Sequence, residues 1–229
     1  MPAKQLLTIL FLLSTGFLFS QENTPKAPDY ISIKKNISDK NSNLYYPVLL
    51  KKLAVNDTLI TDDEYQHLYY GYTLQPEYNP YGQTSKEEEI IKYYKAEKLE
   101  EKDYDKFIKL ANQSLKEFPL DLRLMNYLAY IYHLKGDSAM TKKISTNFHG
   151  IFNAILSSGD GLKCETGIHV ISVGHEYVLL NLFQLENVSQ SLIGECDFLA
   201  FEKDKYKVPG LYFNISVLTQ HLNKKFGEK

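Results

Sequence analysis

The sequence has no tryptophan, only two cysteines and no excess of charge of either sign. It contains 26 basic and 28 acidic residues, which gives a formal net charge of −2. A nucleic-acid-binding surface requires clustered basic residues, so this balance gives no electrostatic reason to expect a DNA or RNA partner. With 229 residues, 44% of them hydrophobic, the chain is long enough to bury the core of one or two domains.

The sequence also lacks the signatures of familiar catalytic, nucleotide and zinc sites. It has no P-loop, no dinucleotide fingerprint, no G-x-S-x-G elbow, and neither C-x-x-C nor H-E-x-x-H spacing. We therefore expect no metal and no cofactor, and the sequence assigns no catalytic residue. An enzyme is the less favoured class.

The main apolar run lies near the N terminus, and it is short. Lys4 precedes about 14 mostly apolar residues, Leu6 to Phe19, and Ser20 then leads into a polar segment. A membrane-spanning helix needs about 20 apolar residues, whereas this arrangement is typical of a secretory signal. We expect cleavage after Ser20, export to the periplasm or the extracellular space, and no stable membrane span afterwards. An uncleaved anchor is the alternative.

Both cysteines, Cys164 and Cys196, lie in the C-terminal third of the chain. In an exported protein a disulfide between them could persist, and it would close a loop of about 30 residues, worth about 3 kcal/mol in the chain-entropy model. The alternative is two separate buried thiols. The sequence does not place their Cα atoms, so both possibilities stay open at this point.

Hydrophobic periodicity divides the chain into four segments and predicts an α+β fold. The segments are a signal peptide at 1–20, a polar tail at 21–42, a helical segment at 43–158 and a small α+β segment at 159–229. We expect at most a short helix or strand in the tail. The last segment is rich in β-forming residues, and we expect a small antiparallel sheet with one or two helices.

Several helix starts are marked by capping residues. Thr61-x-x-Glu64 and Thr84-x-x-Glu87 both have the spacing of a capping box. Asp103 is predicted to cap the next helix, and aspartates at 121 and 137 are predicted to cap the last two. Connections of two to four residues predict that successive helices pack as antiparallel hairpins.

Residues 88–155 resemble two tetratricopeptide units, whose repeat is 34 residues long. Phe107, Ala111, Ser114 and Pro119 stand at the positions that the repeat fills with a small residue, a large residue, a small residue and a closing proline. Lys95 and Phe107 depart from the pattern, since both stand where smaller residues are expected. An ordinary antiparallel helical bundle is the alternative interpretation.

The stretch from Tyr69 to Gly82 reads YYGYTLQPEYNPYG. This YYGYTxQPxYNPYG motif resembles the signature of an uncharacterised family of exported Bacteroidetes proteins, carried as a domain of unknown function. Weaker similarities, such as Gly210 to Phe213, extend the resemblance over residues 40–216. The resemblance implies a Bacteroidetes origin, export, and helical and β parts that belong to one unit. Cys164 is not part of it, which counts against a structural disulfide.

The tyrosine-rich segment is the candidate binding region. Eight of the 18 tyrosines lie between Tyr45 and Tyr81, and tyrosine rings can grip peptides or stack on sugars. A buried core face with polar tips is the alternative interpretation of the same spacing. The candidate binding residues are Tyr69, Tyr70, Tyr72, Tyr78, Asn79 and Tyr81.

The leading hypothesis is therefore an exported module of the cell envelope that binds another envelope protein or a peptide. One rival is an envelope hydrolase whose site lies in the C-terminal segment. Its candidate residues, expected to meet at one cleft, are Asp160, Glu165, His169, His175 and Glu176. A second rival is glycan binding through the tyrosines, which the lack of tryptophan disfavours.

Overall fold

A computed structural model describes residues 25–97 and 99–227 of the chain. The predicted signal peptide at 1–20 lies outside the described residues. The described helices are α1 (Tyr30–Ser38), α2 (Tyr46–Ala54), α3 (Asp62–Gly71), α4 (Glu87–Lys95), α5 (Glu101–Glu117), α6 (Leu122–Leu134), α7 (Ser138–Leu156), α8 (Val173–Leu182) and α9 (Ser216–Phe226). The described strands are β1 (Ile168–His169), β2 (Asn187–Ile193), β3 (Cys196–Phe201) and β4 (Gly210–Asn214), and two 3₁₀ turns occupy Tyr72–Leu74 and Cys164–Thr166.

The described chain forms two compact units, and neither is continuous in sequence. The helical unit combines Leu50–Ile60 with Gln83–His149, and the mixed unit combines residues 25–49, Thr61–Gly82 and 150–227. Two of the four boundaries between the units fall inside helices, α2 and α7. The units therefore interleave along the chain instead of following each other.

The core of the helical unit is built from the apolar stripes of α4, α5 and α6. The Tyr93 and Phe107 rings meet edge to face at 5.3 Å, and Phe107 meets Tyr127 at 5.0 Å. The Tyr127 hydroxyl donates to the Tyr93 carbonyl over 3.0 Å. Phe107, Ala111 and most of the apolar positions of α6 are buried, so these helices share a core as predicted.

The helix starts confirm some capping predictions and contradict others. Asp121 caps α6 by accepting from the Leu124 N–H, and Thr61 forms the predicted capping box on α3. The second capping box is wrong, because Thr84 lies before the α4 cap position and instead bonds the Ser114 hydroxyl. Asp103 is also not a cap, since α5 has already begun at Glu101.

In the mixed unit, the segment interpreted as a polar tail contains a full helix. Asp29 caps α1 by accepting from the Ile31 and Ser32 N–H groups, and α1 buries Ile33 and Ile37. Farther along, α7 closely approaches α3 at Gly150. A Cβ there would lie 2.0 Å from the Tyr65 ring, so no other residue fits without movement.

The mixed unit holds a four-stranded sheet in the order β1-β4-β3-β2. Strand β3 pairs antiparallel with both β2 and β4, whereas β1 joins β4 in parallel. The α+β class is confirmed, and the sheet is mixed rather than wholly antiparallel. Gly194 has a φ of 63° in the two-residue β2–β3 turn, where hairpins favour glycine. This order leaves β2 at one edge of the sheet.

Candidate functional site

The tyrosines of the predicted binding region are mostly core residues. Tyr69, Tyr70, Tyr72 and Tyr78 are each at most 5% exposed. A partner or a sugar cannot stack on a buried ring, so for these four residues the structure supports the core alternative. Asn79 and Tyr81 are exposed, and they remain candidates for binding.

Three of these tyrosines fix the chain between β1 and α8. Tyr70 donates to the His169 carbonyl over 3.3 Å, and Tyr78 donates to the Ile171 carbonyl over 2.9 Å. The Ile171 N–H donates to the Tyr69 hydroxyl over 3.2 Å. Because buried backbone groups need hydrogen-bond partners, the tyrosine motif stabilises a segment with little regular structure of its own.

His175 belongs to the same buried network. Its Nδ1 lies 2.7 Å from the Tyr69 hydroxyl. The same hydroxyl accepts from the Ile171 N–H, so Tyr69 joins α8 to the chain that follows β1. Burial raises the pKa of Tyr69 well above its ordinary value, which keeps the proton on the phenol.

The next residue of α8, Glu176, is a buried acid. Its side chain is 0% exposed, and neither carboxyl oxygen has a hydrogen-bond partner among the described residues. Burial, and then the charge of Asp197, raise the pKa of Glu176 to about 9. Asp197 lies on β3, is 7% exposed, and accepts from Gln190 Nε2 over 2.8 Å.

Two partly exposed tyrosines border this pair of acids. The Tyr177 hydroxyl donates to Gln190 Oε1 over 2.8 Å, which links Tyr177 through Gln190 to Asp197. Tyr81 is 51% exposed and Tyr177 is 38% exposed. Burial first, and then the charges of Glu176 and Asp197, raise the pKa of both phenols. Both hydroxyls therefore lie in the electrostatic field of the two acids.

Gln190 lies on strand β2, which is at one edge of the sheet. The sequence of β2, NVSQSLI, contains no charged residue and no proline. Val188 and Leu192 are 65% and 66% exposed, and Leu192 pairs with Asp197 across β2 and β3. We call the set Tyr81, Glu176, Tyr177, Gln190, Leu192 and Asp197 the acidic edge surface.

The residues of the hydrolase hypothesis are divided between two environments. Asp160 is exposed and accepts from the Thr166 hydroxyl and the Leu162 N–H, which lowers its pKa. Glu165 is also exposed, whereas His175 and Glu176 are buried on α8. Two of these acids are therefore open to solvent and two of the side chains are not, which counts against one shared cleft.

His169, the remaining residue of that set, is half-buried. Burial lowers the pKa of its imidazole to about 4, so it is a poor proton acceptor at neutral pH. The backbone of His169 has a clear structural role, because its carbonyl accepts from Tyr70.

Cys164 and Cys196 form a disulfide, with their Cα atoms 5.7 Å apart. The bridge joins the turn before β1 to the first residue of β3. Within the described ranges there is no group of three or more His, Cys, Asp or Glu residues that could hold a metal ion. No helix in the same ranges is both long and apolar enough to cross a bilayer.

Four members of the acidic edge surface were not predicted from the sequence: Tyr177, Gln190, Leu192 and Asp197. Glu176 was considered only as a hydrolase residue. The lack of charge in β2 was visible in the sequence and was the one usable signal. The electrostatic interaction of Glu176 with Asp197 was not visible, because the two residues lie far apart in the chain, on α8 and β3.

Comparison with curated proteins finds no match, and comparison with solved structures finds none either. A protein family does match, described as a domain of unknown function, DUF4919, and the match covers residues 31–224. This range includes the tyrosine motif and the whole acidic edge surface. The chain therefore belongs to the DUF4919 family.

Proposed function

We propose that this chain is an exported module of the bacterial cell envelope that binds an extended segment of a partner protein along β2. The observation that carries the proposal is the character of that strand. It lies at the edge of the sheet, lacks charge and proline, and exposes the side chains of Val188 and Leu192.

Edge strands normally carry features that prevent pairing with other chains, such as lysine, proline or a cover from another element. Strand β2 has only one irregularity, between Asn187 and Ser189. Its outer side presents backbone donors and acceptors to which an extended peptide can add as a further strand. Alternate side chains of that peptide would meet Leu192 and the partly exposed Tyr177.

Export and a Bacteroidetes origin are part of the proposal. The basic residue, short apolar run and small residue at 1–20 support export. The disulfide between Cys164 and Cys196 also supports it, since such bonds persist in oxidising compartments. The tyrosine motif supports the origin through its resemblance to exported Bacteroidetes proteins.

The proposal is tested by placing lysine on β2. The double variant Val188→Lys, Leu192→Lys puts two charges on the strand at exposed positions, so folding should be unaffected. The matched control is Val55→Lys, Leu59→Lys in the helical unit, where the original side chains are 64% and 81% exposed. Proteins that co-purify with the parent are identified, purified and titrated against all three forms.

We expect the β2 variant to weaken binding of the purified partner at least about tenfold, the equivalent of about 1.4 kcal/mol, and the control to change it less than twofold. Equal affinity of all three forms, with circular dichroism showing that all are folded, would refute binding at β2.

A further inference from the structure

We propose that the segment bound along β2 carries a lysine or arginine side chain, and that Glu176 and Asp197 together receive its positive charge. This inference rests on the proposed binding at β2 and names the chemistry of the partner. It assigns a ligand to Glu176, for which the fold described above gives no structural role, and to the neighbouring acid Asp197.

The first argument is the isolation of Glu176. Buried acids are almost always paired or hydrogen-bonded, since an unpaired buried charge is costly. Glu176 is 0% exposed, and both of its carboxyl oxygens are without hydrogen-bond partners in the part of the chain that the structure describes. A leucine or glutamine of similar volume would fill the site at a smaller cost in the free energy of folding. The acid is therefore better explained by a ligand than by folding.

The second argument is the position of Asp197. It pairs with Leu192 across β2 and β3, and it is held by Gln190 from the edge strand. Strands lie about 4.8 Å apart, so a segment added to the outside of β2 would run about 10 Å from β3. Only long side chains can reach Asp197 from there, and lysine and arginine are the long cationic ones.

The third argument is the aromatic border. Tyr81 and Tyr177 are both partly exposed, and both phenols are influenced by the charges of Glu176 and Asp197. Aromatic faces attract ammonium and guanidinium groups. Tyrosine rings beside carboxylates are thus suited to an organic cation on a flexible chain.

A divalent metal ion fits the same place less well. Calcium takes six to eight oxygen ligands and magnesium requires a near-octahedral set. The acidic edge surface offers two carboxyl groups, and Gln190 is already engaged with Asp197 and Tyr177. The basic side chain is therefore the occupant that we propose.

Proton release is a specific consequence. The titratable groups that interact electrostatically with Glu176 are Asp197 on β3, Tyr81 in the loop after α3, and Tyr177 on α8 itself. Because its pKa is raised to about 9, Glu176 is protonated at neutral pH in the free protein. A bound cation favours the ionised form, so binding should release a proton and strengthen as pH rises from 7 to 9.

The test uses random twelve-residue peptides displayed on phage and selected on the purified chain. Selected peptides are synthesised with each lysine or arginine replaced in turn by glutamine. Their affinities are measured for the parent, for Leu192→Lys, for Glu176→Gln and for the control Glu165→Gln, an exposed acid in the same unit. Calcium chloride without peptide is titrated separately.

We expect one basic position to recur, and its replacement to weaken binding to the parent at least tenfold. Glu176→Gln should produce a similar loss and remove the rise of affinity between pH 7 and 9, while Glu165→Gln changes little. Peptides that depend on Leu192 but neither on a basic residue nor on Glu176 would overturn this inference and leave binding at β2 intact.

Two other outcomes are distinguishable. If no selected peptide loses affinity with Leu192→Lys, binding at β2 itself is refuted. If the chain dimerises and Leu192→Lys separates the copies, a second copy occupies the edge and the basic segment is excluded. Tight calcium binding that Glu176→Gln abolishes would assign the two acids to a metal ion instead.

Discussion

The two units each contain an acid whose pKa is raised by burial, but only in the helical unit do neighbouring groups oppose that rise. In the helical unit, Asp121 caps α6, and the N–H groups of Leu124 and Arg123 and the guanidinium of Arg123 oppose the effect of burial. Its pKa is raised only to about 6. In the mixed unit, Glu176 has no such partners, Asp197 adds repulsion, and the pKa is raised to about 9.

This difference separates a structural acid from a functional candidate. Asp121 contributes to the fold through a bond to its own helix, and nothing further is needed to explain it. At any pH above the ordinary carboxyl pKa of 4.5, Glu176 lowers the stability of the folded protein, because its carboxyl group would be ionised in the unfolded chain. An acid kept at such a cost is expected to have a role outside folding.

The largest effect is expected from Glu176→Gln. The ordinary pKa of 4.5 applies to the unfolded chain and about 9 to the folded one, so between these values the folded state retains a proton that the unfolded state has released. Stability therefore falls as pH rises through this window. At pH 8 the variant should gain roughly 2–4 kcal/mol in the free energy of unfolding, given about 1.4 kcal/mol per pKa unit and some relaxation around the site.

Urea unfolding followed by circular dichroism, at pH 5 and pH 8, measures this gain. The parent should lose stability over that interval and the variant should not. Asp121→Asn is the matched control, since asparagine caps a helix about as well as aspartate. If the difference in stability between the parent and Glu176→Gln were the same at pH 5 and pH 8, Glu176 would not differ from Asp121 in the way described above.

An intermediate effect is expected from Tyr69→Phe. The change removes the hydroxyl that accepts from Ile171 and bonds His175, and it leaves two buried groups without that partner. We expect a loss of about 2–3 kcal/mol in the free energy of unfolding. Tyr127→Phe in the helical unit removes a single bond to a carbonyl and should cost about 1 kcal/mol.

Urea unfolding of both phenylalanine variants at one pH makes this comparison. If they lose equal stability, the network of Tyr69 contributes no more than an ordinary tertiary hydrogen bond. The structural role assigned to the tyrosine motif would then be withdrawn.

The smallest effect is expected from Asp121→Ala, which removes the cap on α6. The bond from the Leu124 N–H is lost, and such caps contribute about 1 kcal/mol. Thr84→Ala should not act as loss of a cap, because Thr84 bonds Ser114 instead. Amide hydrogen exchange at the first turns of α4 and α6 distinguishes these results: protection should fall in α6 after Asp121→Ala and stay unchanged in α4 after Thr84→Ala.

Sequence reasoning succeeded wherever neighbouring residues decide the structure. The cap at Asp121, the capping box at Thr61 and the α+β order follow from local spacing and periodicity. The Thr84 capping box failed because the hydroxyl found a partner on another helix. The length of helix α1 was underestimated because the sequence shows only two apolar residues at helical spacing, Ile33 and Ile37. Their burial depends on the elements that they pack against.

The candidate site divides in the same way. The sequence alone determined that residues 187–193 carry no charge and no proline, and that the motif from Tyr69 to Tyr81 is unusually rich in tyrosine. Only the tertiary structure decided which tyrosines are buried, that residues 187–193 form an edge strand, and that Glu176 interacts electrostatically with Asp197. The physical reason is that burial and the pairing of charges depend on contacts between residues far apart in the chain, which local patterns do not encode.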